Sequence, residues 1–439
     1  MTRAALLDPE FETLSPDDVR RVQDAAWSTQ WEHVRRHSTF YRNKLAGHAG
    51  QEMTLDSLQE MPFTEKDDLR ESQQRQPPFG DYLAAPKTAV RRLHTTSGTT
   101  GRALTIVHGK ADVDWTAKVG GRAFYAAGLR PGHRVVHCLS YRMWTGGVTD
   151  HMSLEAAGAC VIPFGVGGAE QLIDAINLYG ADTISCTPSY PALLASLLYN
   201  SGRDPRELGL KLGLFGGEAG LDSQEFRRSI EVTWGLSVRN ANYGMSEVIS
   251  ILGSQSECTT DLHFHAADVV FAEIVDPAGA RLPIREGATG ELVCTHLRRE
   301  CQPLIRYRTR DVVTVTGTGV AGCGRTSWRF RVTGRTDDMF NVRGVNVFPS
   351  AIQAAILGRS DIGNGQFRIH LRGPGPWDRI ELTAEAARGL PTTAFDGAAR
   401  ELEAWVKKIT GASAAVTLVT ADTFPRTDAK TSLVERLSS

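Results

Sequence analysis

Several features that mark particular classes of protein are missing from this 439-residue sequence. No apolar run approaches the ~18 residues that a bilayer crossing needs, so we predict no membrane segment. The 49 basic and 50 acidic residues nearly cancel, which argues against nucleic acid as the main partner. The seven cysteines are scattered and odd in number, which favours reduced thiols and a cytoplasmic protein.

What is present is an ordinary globular composition rich in glycine, with 43 residues of that type. From Thr88 onward short apolar strands alternate with helices, which is typical of a parallel α/β sheet. After about residue 260 strands follow one another directly, which indicates a β-rich subdomain. The tail combines strands with a helix near Phe395–Ile409 that Gly411 is placed to stop. We therefore predict a multi-subdomain α/β fold with a small C-terminal α+β domain.

The first segment with chemical character is the stretch HTTSGTTGR from His94 to Arg102. Its hydroxyls and two glycines suit a loop whose backbone N–H groups approach phosphate closely. The spacing of Gly98 and Gly101 differs from that of a Walker loop. Because the residues that follow are β-like, we predict a flap between two strands that closes over a triphosphate. A solvated turn is the open alternative.

Two further segments have chemical character. Asn242 to Glu247, NYGMSE, joins an aromatic face that can stack on a purine to a carboxylate that suits Mg²⁺. The alternative is a strand end with a surface Glu. Arg306 to Asp311 carries three Arg at alternating positions, which predicts one cationic strand face. That face would meet anions or acidic partners, or form a surface ion-pair ladder.

Two segments lie nearer the C-terminus. Gly334 to Asp338 and Arg343 to Pro349 fall where the β-rich part ends, which predicts either a hinge or an ordinary interdomain turn. Pro425 to Lys430 is a polar loop that, taken alone, would be solvated.

Together and in this order, the five segments resemble the adenylate-forming superfamily of acyl-CoA synthetases, adenylation domains and luciferases. The resemblance is greatest to phenylacetate–CoA ligases and related aryl-acid ligases, and supporting stretches such as PFTEKDDLR at Pro62–Arg70 extend along nearly the whole chain. It implies an adenylation domain at residues 1–335 and a small mobile lid at residues 336–439. It also implies that a carboxylate attacks the α-phosphorus of ATP, and that coenzyme A then displaces AMP from the acyl-adenylate.

The resemblance implies roles for residues of the adenylation domain. Tyr243 would stack on adenine, Glu247 would hold Mg²⁺, and Asp311 would accept hydrogen bonds from the ribose hydroxyls. The other nucleotide-binding residues would be Thr95, Thr96, Ser97, Gly98, Thr99, Thr100, Gly101, Gly216, Gly217, Glu218, Asn242, Gly244, Met245 and Ser246.

Three residues around the lid also receive roles from the resemblance. Asp337 would be the hinge between adenylation and thioester formation, and Arg335 would reach the nucleotide. Lys430 would be inserted by the lid and would stabilise the pentacovalent α-phosphate. The catalytic group implied is therefore Lys430 with Glu247 and Arg335.

Aromatic side chains beside small residues suit a flat acid such as a benzoate or a phenylacetate. Polar groups such as His137 and Asn240 would read ring hydroxyls or amines, or would be satisfied structural residues. The residues predicted to line the acid pocket are Tyr141, Trp144, Thr145, Gly146, Phe215, Gly216 and Asn240.

The acyl acceptor is left open by the motifs, because the adenylation residues would be identical for coenzyme A, an amine or a carrier-protein thiol. A noncatalytic nucleotide-binding module is a third reading, which retention of both Glu247 and Lys430 argues against. The resemblance alone favours a homodimer.

A zinc site is a separate question. Relatives often carry a structural Zn²⁺ site built from Cys, His and a Cys-x-Cys pair. Here Cys258, His263 or His265, and Cys323 remain, while Ala321 stands at the other position of the pair. A structural site normally has four ligands, so we expect Zn²⁺ to be absent. The alternatives are a three-ligand site completed by water and a site in which Cys301 supplies the fourth ligand.

Overall fold

The computed structural model describes residues 6–48, 53–96, 103–218, 220–424 and 433–437. Its α-helices are α1 Pro9–Glu12, α2 Pro16–His37, α3 Thr39–Lys44, α4 Lys66–Arg75, α5 Lys110–Ala126, α6 Thr145–Ala156, α7 Ala169–Tyr179, α8 Tyr190–Asn200, α9 Gln224–Trp234, α10 Pro349–Leu357 and α11 Phe395–Thr410. Its strands are β1 Arg92–Thr95, β2 Thr105–His108, β3 Arg134–His137, β4 Cys160–Ile162, β5 Thr183–Cys186, β6 Leu212–Gly216, β7 Ser237–Met245, β8 Ile249–Ser256, β9 Thr259–Phe264, β10 Val270–Val275, β11 Arg281–Leu282, β12 Thr289–His296, β13 Tyr307–Gly317, β14 Arg329–Arg335, β15 Phe340–Val342, β16 Val345–Val347, β17 Gly363–Arg372, β18 Ile380–Ala386, β19 Ala414–Val419 and β20 Val434–Leu437.

Twelve strands form one sheet in the order β11-β10-β12-β13-β14-β9-β8-β7-β6-β5-β3-β4. The pairs from β4 through β7 are parallel, whereas β7 pairs with β8 in antiparallel fashion. Strands β8 to β14 therefore continue the same sheet as the α/β half. Strand β7 is where the hydrogen-bonding pattern changes, and it carries one of the nucleotide motifs.

Helices α5 and α6 cover the parallel part of this sheet. Apolar residues of both helices form one buried cluster with residues of β3, β6 and β8, which fixes α6 against the sheet. The members of that cluster include Phe124 and Leu154 from the helices and Val135, Leu214 and Ile251 from the strands.

The C-terminal residues form a separate four-stranded sheet in the order β19-β18-β17-β20. Phe367, Ile369 and Leu382 of this sheet form one core with Leu402 and Val406 of α11. Helix α11 ends at Gly411 in the left-handed conformation, with φ +76°, as the sequence predicted. The predicted α/β class with a small C-terminal α+β region is thus confirmed.

The chain divides into two compact units. The first comprises Met1–Thr187, Arg206–Gly217 and Ser237–Arg331, and the second comprises Pro188–Pro205, Glu218–Leu236 and Val332–Ser439. Within the described ranges, no helix has both the length and the apolar character that a membrane crossing requires.

Candidate active site

The end of β7 brings two of the predicted nucleotide residues together with their partners. Tyr243 donates a hydrogen bond from its hydroxyl to Oδ2 of Asp311 on β13, at 2.8 Å. Its ring packs edge-on against Phe330, with centroids 5.4 Å apart. Asp311 is buried, and the hydrogen bond from Tyr243 holds its carboxylate in one direction. The aromatic face and the acceptor that a nucleoside would need are therefore adjacent, although many residues separate them in the sequence.

Glu247 lies in the turn that joins β7 to β8, and its carboxylate has a cationic partner that the sequence analysis did not assign. Nζ of Lys66 is 2.8 Å from Oε1 of Glu247. The glutamate side chain is 8% exposed and the lysine side chain 39% exposed, so the ammonium reaches inward from the more solvated side. A carboxylate oxygen is a ligand that suits a hard divalent cation, which would have to take the place of the Lys66 ammonium beside it.

The position of Lys66 follows from the way its segment is anchored. Thr64, two residues earlier, donates its backbone N–H to the carbonyl of Arg306 and accepts from the N–H of Arg308, both at 3.0 Å. Its hydroxyl also donates to the carbonyl of Ile305 at 2.7 Å. These bonds attach residues 62–66 to the start of β13, and α4 then begins at Lys66 itself. In the sequence, the stretch PFTEKDDLR supported the family resemblance, but none of its neighbouring residues indicates that Lys66 lies beside Glu247.

The arginines of the segment from Arg306 to Asp311 form an intramolecular ion-pair ladder. Arg306 is buried beside Glu273, with Nε to Oε2 at 3.2 Å, and Arg308 pairs with Glu291. Arg310 contacts Glu65 and has φ +67°, a conformation that is uncommon outside glycine. Of the two readings left open for this face, the ladder is the one that the structure supports.

The start of α6 supplies a flat aromatic wall. Trp144 precedes the helix, and its indole lies directly over Gly146, where an added Cβ would come within 2.6 Å of the ring. The same ring edge is 3.7 Å from the Cβ position of Gly217, which has φ +81°. A side chain at Gly146 would displace the indole, so the absence of a side chain is what allows the flat surface.

Other residues predicted for the acid pocket are placed around this wall. Tyr141 is half-buried and its hydroxyl lies 2.9 Å from Nδ1 of His151. Thr145 is buried, and its carbonyl accepts from the hydroxyl of Thr149. The side chain of Phe215 is fully buried within β6. Asn240, on β7, donates its backbone N–H to Gln255 at 2.8 Å.

His137 is fully engaged by the protein. Nδ1 lies 3.0 Å from the hydroxyl of Ser185, and Nε2 lies 2.9 Å from the carbonyl of Gly147. Burial lowers the pKa of this imidazole to about 4, so the ring is neutral near pH 7. Of the two roles left open for His137, the structure supports that of a satisfied structural residue.

A buried carboxylate on α6 was missed by the sequence analysis. Asp150 accepts hydrogen bonds from Nδ2 of Asn242 and from the hydroxyl of Ser250, the latter at 3.0 Å. The residue is 1% exposed, and burial raises the pKa of its carboxyl group to about 7. The sequence around Asp150 gives no sign of this role, because the groups that donate to its carboxyl oxygens come from the distant strands β7 and β8.

The phosphate loop is described only at its edges. Strands lie on both sides of this loop, as predicted, and β1 and β2 pair in antiparallel register with Thr95 opposite Thr105. Thr95 donates its backbone N–H to the carbonyl of Met143 at 2.8 Å, and the hydroxyl of Thr96 accepts from the N–H of Leu104 at 3.0 Å. The remaining residues assigned to this loop lie outside the described residues; they are Ser97, Gly98, Thr99, Thr100 and Gly101.

Of the residues assigned to the lid and hinge, Lys430 also lies outside the described residues. Arg335 and Asp337 form a two-point ion pair, with Nε to Oδ1 at 3.0 Å and Nη2 to Oδ2 at 2.9 Å. Glu218, in the same unit, accepts a hydrogen bond from the backbone N–H of Ser189 at 3.3 Å.

Three of the four candidate zinc ligands converge. One ligand atom from each of Cys258, His263 and Cys323 lies within 4.8 Å of the other two. His265 is turned elsewhere, since its Nε2 lies 2.9 Å from the hydroxyl of Ser254. Among the described residues this cluster therefore offers three donors, one fewer than a structural Zn²⁺ site normally has.

Comparisons with known proteins agree with this geometry. Residues 344–435 match the family model of the AMP-binding enzyme C-terminal domain. The chain is 37% identical to a phenylacetate–coenzyme A ligase of Pseudomonas putida over 388 residues, covering 87% of this chain and 84% of the relative. It is 33% identical to the enzyme of that name from Escherichia coli K12 over 434 residues, covering 97% and 96%.

Solved structures that match this chain are also CoA ligases. A 2-hydroxyisobutyryl-CoA ligase in its postadenylation state, in complex with 2-HIB-AMP, matches with a TM-score of 0.88 and 29% identity, covering 98% of this chain and 91% of that one. The same ligase with 2-HIB-AMP and CoA in the thioesterification state matches with a TM-score of 0.71 and 30% identity, covering 98% and 92%. This chain therefore belongs to the phenylacetate–coenzyme A ligase family of adenylate-forming enzymes, and it is an AMP-forming acid–CoA ligase.

Proposed function

We propose that this ligase activates a benzoate- or phenylacetate-like acid, using Mg²⁺ with ATP, and passes the acyl group to coenzyme A. Two observations carry the proposal: the Tyr243–Asp311 pair and Glu247 lie at the end of β7, and the Trp144 wall lies beside Gly217, just after the neighbouring strand β6. A flat indole over glycine suits an aromatic ring better than a flexible chain. The relatives named phenylacetate–coenzyme A ligase support the same class of acid.

The nucleotide would bind along β7 and β13. The ring of Tyr243 would stack on adenine, and Asp311 would accept from the ribose hydroxyls. Glu247 would hold Mg²⁺, which supplies charge neutralisation at the phosphates. With Mg²⁺ held by Glu247, Nζ of Lys66 would turn from the carboxylate toward a phosphate oxygen. The Lys66–Glu247 pair would thus hold both side chains near the phosphates before the nucleotide binds.

The chemistry needs positioning more than acid–base groups. The acid's carboxylate oxygen forms a bond to the α-phosphorus, and the bond from that phosphorus to the bridging oxygen breaks, which releases pyrophosphate. The thiolate of coenzyme A then attacks the acyl carbon, and AMP leaves with the electron pair. No protein nucleophile is required in either step.

The mobile parts of the mechanism are proposed on the family resemblance. The division into residues 1–335 and 336–439 would let the lid swing about Asp337, whose carboxylate is paired with Arg335. Arg335 would exchange that partner for the nucleotide. Lys430 would reach the α-phosphate during adenylation, and the loop from Thr95 to Gly101 would cover the β- and γ-phosphates.

Three further points are also proposals. We propose a homodimer, which light scattering would measure, and a cytoplasmic location, to which the free cysteines are suited. For the cluster of Cys258, His263 and Cys323, the donors suit a soft divalent metal but are incomplete, so we propose that purified enzyme carries less than one equivalent of Zn²⁺. Elemental analysis of protein purified without added metal measures it.

The test is acid-dependent exchange of pyrophosphate into ATP, followed by mass spectrometry of the coenzyme A product. We expect exchange with aromatic acids and a thioester when coenzyme A is added. Lys430→Ala should abolish exchange while thioester formation from preformed acyl-adenylate continues. Exchange supported by fatty acids alone, or equal loss of both half-reactions in Lys430→Ala, would contradict the proposal.

A further inference from the structure

The side-chain amide of Asn242 lies at the proposed acid pocket, and its direction is fixed by a hydrogen bond to Asp150 of α6. Asn242 pairs with Gly216 across β6 and β7, and a Cβ on Gly216 would lie 2.6 Å from the Cβ of Asn242. The side chain of Asn242 therefore lies beside Gly216 on the face of the sheet that α6 covers, and the next residue along the chain, Gly217, is the position that the Trp144 indole contacts. Asn242 is half-buried, so part of it faces solvent or a ligand.

Asp150 determines which end of that amide faces the pocket. Both carboxyl oxygens of Asp150 accept hydrogen bonds, and Oδ2 accepts from Nδ2 of Asn242, so the amide turns its NH₂ toward Asp150. The hydroxyl of Ser250 donates to the other carboxylate oxygen, at 3.0 Å, and prevents the carboxylate from rotating. The carbonyl oxygen Oδ1 of Asn242 is consequently directed away from Asp150.

We infer that Asn242, oriented by Asp150 and Ser250, selects an aryl acid that carries an N–H or O–H donor on its ring. This inference rests on the proposed function and deepens it by naming the substrate class. A ring amine or hydroxyl donates to Oδ1, whereas a methyl group of similar size leaves that oxygen desolvated and without a donor. Sites built to bond a polar group reject analogues that lack it far more strongly than apolar pockets reject an added methylene.

The experiment compares isosteric acids in pyrophosphate exchange. Benzoates and phenylacetates carrying an amino, hydroxyl or methyl group at the ortho, meta or para position are assayed for kcat/KM. At one ring position we expect the amino or hydroxyl acid to exceed its methyl isostere at least about tenfold. The ratio within one enzyme preparation is independent of how much of the protein is active.

Two variants test the residues named. Asn242→Leu removes the acceptor, so the ratio should fall to about one or below. Asp150→Asn keeps the shape but can present either a donor or an acceptor to Asn242, so the ratio should fall about threefold or more while the methyl acid is affected less. Because Asp150 acts through Asn242, a merely structural role would lower both acids equally.

The results of these assays distinguish failure of the inference about Asn242 from failure of the proposed function. Equal use of the amino, hydroxyl and methyl acids by the unaltered enzyme would overturn the inference alone, as would an undiminished preference in Asn242→Leu. Exchange with no aromatic acid at all would overturn the proposed function and the inference with it.

Discussion

Two carboxylates lie beside the same strand, and their different partners show how one sheet supports two tasks. Glu247, just after β7, is met by the ammonium of Lys66 at 2.8 Å. Asp150, packed against the middle of β7, is met by the neutral donors Asn242 and Ser250. A charge held by another charge near solvent can exchange that partner for a metal ion. A carboxyl group held by neutral donors in the interior orients its neighbours but does not readily take on a charge, because ionising it there is costly.

Among variants of the residues around β7, the largest effect should come from removing the charge of Glu247. Glu247→Gln keeps the shape and leaves Lys66 with a neutral partner, so a divalent cation loses its carboxylate ligand. We expect kcat/KM for adenylation to fall about 10²- to 10³-fold, as for other groups that stabilise charge in a transition state. Exchange rates at increasing Mg²⁺ concentration measure it. Glu257→Gln, which alters a carboxylate paired with Arg130, is the matched control.

An unchanged Mg²⁺ dependence in Glu247→Gln would show that Glu247 is not a metal ligand and does not differ from Asp150 in that respect. A similar loss in Glu257→Gln would attribute the effect to general damage.

The second prediction concerns stability and Asp150. Burial raises the pKa of this carboxyl group from 3.8 to about 7, so the folded state keeps a proton that the unfolded state has already released. The free energy of unfolding therefore falls as pH rises from about 4 to about 7. Asp150→Asn cannot ionise, so its stability relative to the unaltered enzyme should rise by about 2 to 3 kcal/mol between pH 5 and pH 8.

Urea unfolding of both proteins at pH 5, 6, 7 and 8 measures that difference. Stability curves that run parallel across this range would show that Asp150 is ionised at no cost, and that the two carboxylates do not differ.

The third prediction tests the ion pair from its other side. Lys66→Met keeps the length of the side chain but removes the ammonium, so phosphates lose one positive charge. We expect about a tenfold fall in kcat/KM for ATP, which equals about 1.4 kcal/mol. Lys44→Met is the matched control, since it breaks the 2.7 Å pair of Lys44 with Asp68 on the same segment. Equal effects of the two variants would mean that Lys66 acts on the fold and not on the nucleotide.

The smallest effect is expected at Tyr243. Tyr243→Phe keeps the ring but removes the hydroxyl that donates to Asp311, so the stack on adenine remains and only the direction of the carboxylate is loosened. We expect KM for ATP to rise about two- to fivefold, in line with the loss of one hydrogen bond of about 1 kcal/mol. A change as large as that in Glu247→Gln would show that the Tyr243–Asp311 bond matters as much as the metal ligand.

The parts of the fold that the sequence predicted well have local causes. The first long helix begins at Pro16 because Ser15 caps it, with the N–H of Asp18 donating to Oγ of Ser15 at 3.2 Å. Helix α11 ends where Gly411 adopts positive φ. The strands β1 and β2 were predicted because the residues that follow the loop, from Ala103 to Val107, are β-like.

The site was predictable as a set of motifs but not as a set of contacts. Tyr243, Glu247 and Asp311 were named from their residue types and their order, and two of them turn out to share a hydrogen bond. The resemblance included the stretch PFTEKDDLR but gave Lys66 no role, and nothing in the sequence pointed to Asp150. Neither could be assigned, because a local pattern carries no information about which distant group will face it.

By itself the sequence determined the elements, the order of the motifs and the family, since capping, backbone preferences and residue chemistry act within a few positions. Only the tertiary structure decided which partner each charged group has. The β7 strand places Glu247 next to an ammonium from α4 and Asp150 next to an amide and a hydroxyl. Burial and electrostatic interactions depend on neighbours in space, so the fold settles them only when the whole sheet is assembled.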